Sequence, residues 1–159
     1  MKILFTPIVI IHTPHKMKEG MPIQSSGAEG TKGFIKLKKK YIKGLLDLDG
    51  FSHIFLIYYF HKSKGFELLV KPYLDDNFHG IFSTRAPKRP NSIGISVVKL
   101  IGIKDNILEI ENVDILDGTP LLDIKPYISE FDIHNIEKNG WFNAKKSLLN
   151  EIKSDNRFK

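Results

Sequence analysis

The stretch "IGISVVKLIGIKDNILEIENVDIL", residues 93–116, decides the fold. Residues 93–103 are rich in β-branched aliphatic side chains and read as a strand. Lys104, Asp105 and Asn106 then make a tight turn into residues 107–116, a second strand-like run. Asp117 and Gly118 follow at once as another strong turn signal.

Working outward, the same grammar recurs. Residues 3–12, "ILFTPIVIIH", are short and β-branched and predict a first strand. Residues 13–33 are polar and Gly-rich, a loop of a length that compact domains keep for function. Residues 34–38, "FIKLK", alternate as a strand, and residues 39–50 read as one or two helical turns closed by Gly50. Residues 51–61, "FSHIFLIYYFH", predict a buried strand, and residues 65–74 another that ends near Pro72. Past Pro126 the pattern weakens until residues 141–153, where Phe142, Leu148, Leu149 and Ile152 fall at helical spacing. Many short strands with few helices predict a mostly β chain, a small antiparallel β-barrel with one or two short helices. The expected division is a barrel domain over residues 1–135 and a helical basic tail over 136–159.

Bulk properties narrow the function. The 159 residues suit one domain with a real core. Twenty-four Lys and Arg against 18 Asp and Glu give a net charge of +6, which favours a phosphate-bearing partner. No cysteine is present, which removes disulfides, thiolate metal sites and cysteine nucleophiles. The longest apolar run, residues 54–60, is far too short to span a bilayer, and the expected location is cytoplasmic. There is no G-x-G-x-x-G motif and no phosphate-binding P-loop. His12 and His15 are three apart, but Pro14 lies between them and argues against a helical metal pair, so no metal is expected.

Two segments carry chemistry. "FSTRAPKRPNSIG", residues 82–94, crowds Arg85, Lys88 and Arg89 together with Pro87 and Pro90 between apolar segments, with no carboxylate. The prolines disfavour both helix and ladder, leaving a stiff cationic loop suited to a carboxylate or phosphate. "DILDGTPLLDIKPY", residues 114–127, packs three aspartates around turn signals, where a carboxylate suits a ribose diol or an ammonium group. His61 ends a buried strand just before "KSKG", a place where barrels present side chains to ligands.

These two motifs in tandem, with "IHTPHK" and "PIQ" near the start and "LDGFSHIFLIYYFHK" between, resemble the TsaA-like family that includes the TrmO tRNA methyltransferases. The likeness runs over residues 8–127. It implies an antiparallel β-barrel that binds S-adenosyl-L-methionine, as a homodimer, and methylates N6 of threonylcarbamoyl-adenosine at tRNA position 37. It implies cofactor contacts at Gln24, Ser25, Ser26, His61, Lys62, Arg85, Ile95, Ile115, Leu116, Asp117 and Gly118, with Lys88 and Arg89 serving tRNA phosphates. The chain departs from the family at Ile23, where arginine is common, and at Ser92, where proline is common. Bacterial members also carry a further C-terminal domain for tRNA. Two alternatives stay open: a non-catalytic S-adenosylmethionine-binding protein, and a methyltransferase for another RNA or small molecule.

Overall fold

The computed structural model describes residues 1–148 and 151–158. Its strands are β1 (Val9–His12), β2 (Lys32–Lys36), β3 (His53–Tyr59), β4 (Leu69–Val70), β5 (His79–Gly80), β6 (Ile93–Lys104), β7 (Ile107–Glu111) and β8 (Thr119–Pro126). Six of them close an antiparallel barrel in the order β1-β2-β7-β6-β3-β8, with β8 returning to β1. The long β6 and β7 form the hairpin that opened the sequence reading, turning at Asp105, whose φ of 56° is left-handed.

Alternation builds the core. On β3, Ile54, Leu56 and Tyr58 point inward, and on β6 Gly94, Ser96, Val98 and Leu100 do. They meet Ile11, Ile35, Leu108, Ile110 and Leu121 from the other strands. Each fully buried aliphatic side chain contributes about 1.5–3 kcal/mol relative to exposure. The register shifts between Leu100 and Gly102 and between Ile57 and Tyr58. Such irregularities bend strands and help a six-stranded sheet to close.

Several elements differ from the sequence reading. The first strand begins only at Val9, and residues 65–74 contribute just β4, which pairs with β5 in a separate two-stranded ribbon. Residues 39–45 and 48–50 are 3₁₀ turns, separated by Asp47 at φ 64°. The aspartate-rich segment, read as turn chemistry, becomes β8 from Thr119 onward and closes the barrel. A single α-helical turn, α1 (Ser129–Asp132), follows it.

In the tail, Gly140–Leu148 form a 3₁₀ helix, and Leu149 lies outside the described residues. The chain then returns as a strap. Lys153 bridges Pro22, while the Gly20 amide donates to the Ser154 carbonyl and the Ser154 amide to that of Met21. Phe158 is buried in a second small cluster with Val70, Ile81 and Ala86. Among the described residues no helix is long and apolar enough to cross a membrane.

Candidate functional site

The proline-braced segment is held from within. The Arg89 guanidinium donates through Nη1 to the carbonyls of Thr84 (2.8 Å), Ile81 (3.3 Å) and Ala86 (3.3 Å). The Ser63 hydroxyl donates to the Pro87 carbonyl at 3.1 Å and ties the loop to the end of β3. Lys88 forms an ion pair with Glu67 at 2.8 Å. Arg85 is exposed and reaches across to the long loop after β1, donating to Gln24 Oε1 at 3.0 Å.

These contacts wall a cavity of about 270 Å³ at the barrel rim. Gln24, His61, Lys62, Arg85, Ile95, Ile115 and Leu116 line it, so seven of the eleven cofactor contacts implied by resemblance meet at one place. Ile93 and Ile95 line it while 39% and 47% exposed, a partly open apolar edge.

The cavity also contains a carboxylate that sequence reasoning passed over. Asp114 lies between the fully buried Val113 and Ile115, and its Oδ1 is buried with no hydrogen-bond partner. Burial raises its pKa, opposed by the Ser96 hydroxyl and, more weakly, by His15 and Arg85. Beside it the Tyr58 hydroxyl hydrogen-bonds the Ser96 hydroxyl at 3.0 Å, and burial foremost, then the Asp114 charge, pushes the phenol upward. The Tyr58 ring lies against Gly94. A Cβ at that position would sit 2.3 Å from the ring, so only glycine admits it. His61 is held below its ordinary pKa by burial and by the Lys62 charge, and is neutral at neutral pH.

The remaining predicted residues fall elsewhere. Ser25 opens the 3₁₀ turn beside Gln24, and Ser26 lines a second cavity. Asp117 does not line the cavity. Its carboxylate pairs with Lys16 at 2.7 Å and accepts from the Thr13 amide at 3.0 Å, and these contacts hold it below the usual carboxylate range. Gly118, at φ 77°, turns the chain so that its amide reaches the Ile11 carbonyl. Both residues fasten the start of β8 to β1. Arg89 does line the cavity, yet its Nη1 is committed to the loop, and Lys88 is engaged by Glu67.

The sequence marks Asp114 only as one of three aspartates in a turn-rich segment, because its alternation with Val113 and Ile115 has the pattern of a solvent-facing position. The tail residues Ser154 and Phe158, which also line the cavity, carry no such mark. No group of three or more potential metal ligands occurs among the described residues.

The sequence pattern of the family described as the tRNA-methyltransferase O N-terminal domain matches residues 10–133. A probable S-adenosyl-L-methionine-binding protein of Pyrococcus abyssi is 50% identical over 156 residues, 98% of this chain and 85% of that one. The human tRNA (adenine(37)-N6)-methyltransferase is 33% identical over 137 residues, covering 82% of this chain and 31% of its own length. The crystal structure of TrmO from Pseudomonas aeruginosa superposes with a TM-score of 0.75 at 34% identity, over 89% of this chain and 63% of that one. The chain therefore spans under a third of the human enzyme. By pattern, identity and fold, it belongs to the tRNA-methyltransferase O N-terminal domain family.

Proposed function

We propose that the protein is an S-adenosyl-L-methionine-dependent tRNA methyltransferase acting on N6 of adenosine 37, with the threonylcarbamoyl-modified base as its substrate and a homodimer as its working form. The observation that carries this reading is the rim cavity, where a buried carboxylate with one unpartnered oxygen, a reaching arginine and an apolar edge converge. That donor set fits the cofactor. A buried carboxylate oxygen without a donor is unfavourable in the empty protein, and a cation placed beside it offsets the cost. Asp114 would hold the cationic part of the ligand, Arg85 its carboxylate, and Ile95 with Ile115 the adenine face.

Bound S-adenosylmethionine supplies an electrophilic methyl group, whose transfer leaves the bonding pair on sulfur and releases one proton from the attacking nitrogen. The protein's own part is placement. The Arg89 brace fixes the loop that carries Arg85, and Ser63 fixes that loop to the strand end that carries His61. Holding two reactants in line is worth several powers of ten in rate. Neutral His61 contributes a hydrogen-bonding group without adding charge to the cation's surroundings. Barrel and tail act as two parts, residues 1–135 framing the cofactor and, from the tail over 136–159, Ser154 and Phe158 completing the walls.

Incubation with labelled cofactor and tRNA that lacks the modification tests the reading. Label at adenosine 37 is the expected result, and cofactor binding without transfer to any native tRNA would overturn it. A second reading, a non-catalytic binder, is favoured by one observation: the Pyrococcus relative, matched nearly end to end, is described only as binding S-adenosyl-L-methionine.

A further inference from the structure

A second cavity of about 610 Å³ adjoins the first. The two share Gln24, Thr84, Arg85, Pro87, Tyr73 and Phe158, so the Arg85–Gln24 hydrogen bond stands in their common wall. Its far wall is aromatic and comes from two sources. The cationic loop supplies Phe82, which leaves 77% of its surface exposed. The tail supplies Trp141 and Phe142, packed edge to face with centroids 6.1 Å apart.

Trp141 is fixed rather than loose. Its indole N–H donates to the Ser83 carbonyl at 2.9 Å, and its ring stacks on His79 at 4.5 Å. The Asn139 amide, the Gln24 amide and the hydroxyls of Ser26 and Ser83 add neutral donors and acceptors, while Arg85 is the one lining cation among the described residues. Asn139, Trp141, Phe142 and Phe158 all lie beyond residues 10–133, the part matched by the family pattern.

An aromatic, amide-bearing cavity with a cation in its wall suits a planar heterocycle, held by stacking and read along its edge. In-line methyl transfer also needs the acceptor to enter from space adjoining the donor. We infer that this second cavity receives the acceptor adenine of the RNA, turned out of its strand, with Phe82 and Trp141 as its stacking walls. The inference rests on the methyltransferase reading and adds to it the place and chemistry of the acceptor.

Trp141 is the chain's one tryptophan, which gives a direct readout. The protein is first saturated with S-adenosylhomocysteine, followed by calorimetry, and then titrated with adenosine while indole fluorescence is recorded. Saturable quenching is expected, and Phe82→Ala should abolish it. In methylation assays Phe82→Ala and Trp141→Leu should raise KM for tRNA about tenfold, the scale of one lost base stack, while the S-adenosylhomocysteine Kd stays within about twofold of wild type. Because Phe82 is mostly exposed, its loss does not endanger folding. Unmoved fluorescence, or a wild-type KM in both variants, overturns the inference. Failure to bind S-adenosylhomocysteine in the first step sinks the methyltransferase reading instead, before any adenosine is added. Quenching without turnover upholds the cavity and leaves the enzyme reading refuted.

Discussion

Asp114 holds an oxygen that meets no donor, in a wall of aliphatic side chains and the Tyr58 ring. Its folded pKa lies above the unfolded value of about 3.9, with burial as the main cause. The sign follows from linkage. The neutral carboxyl favours the fold below the unfolded pKa, and that contribution is lost as pH rises through the folded pKa. Asp114→Asn should therefore raise the melting temperature near neutral pH and leave it unchanged in strong acid, which thermal unfolding across pH will show. The same replacement should weaken S-adenosylmethionine binding and remove its pH dependence. In the wild type, affinity should fall as pH drops through the Asp114 pKa, because the protonated carboxyl no longer attracts a cation; calorimetry over the acidic to neutral range measures this. Gly94→Ala tests the floor of the site. The added methyl meets the Tyr58 ring, and overpacking of this kind costs about 1–3 kcal/mol in unfolding free energy.

The loop between β5 and β6 is braced by its own arginine. Arg89→Ala should strip a donor from three carbonyls, cost about 1–3 kcal/mol of stability, and speed amide exchange across residues 81–93. Arg85→Ala should behave oppositely: stability near wild type, since the side chain is exposed, but cofactor affinity weaker by about 1.5–3 kcal/mol, the range for a hydrogen bond to a charged group. Equal losses in both assays for both variants would erase this division. The stiffness of the loop was legible from Pro87 and Pro90. The division among its cations was not, because a guanidinium folding back onto carbonyls three to eight residues away leaves no spacing signature. β8 was hidden for a related reason: Pro120, Pro126 and the Asp117–Gly118 turn have the local chemistry of a bend, and only pairing with β1 and β3 makes a strand of them. β3, β6 and β7 were plain because their alternation is local. Asp117 was a natural choice at a turn, yet its partners, Lys16 and the Thr13 amide, come from a hundred residues away.

Across the whole molecule the charge is uneven in its relation to the site. Residues 38–40 follow Leu37, whose amide donates to the Asn106 carbonyl at the β6–β7 turn, whereas the cavity is lined by Ile93, Gly94 and Ile95 at the other end of β6. RNA binding should weaken with salt in proportion to the phosphates contacted. Replacing Lys18 and Lys62, which line the cavity, should flatten that dependence more than replacing Lys38, Lys39 and Lys40, and filter binding at several salt concentrations will rank them. The strap over Lys18, Met21 and Pro22 bears on how the protein is made. β8 ends at Pro126, but Ser154 and Phe158 must arrive before the cavity has all its walls. At a translation speed of roughly 5–20 residues per second, that interval is about two to six seconds. The barrel strands are thus all made while the pocket that would grip a nucleoside still lacks the walls that Ser154 and Phe158 supply.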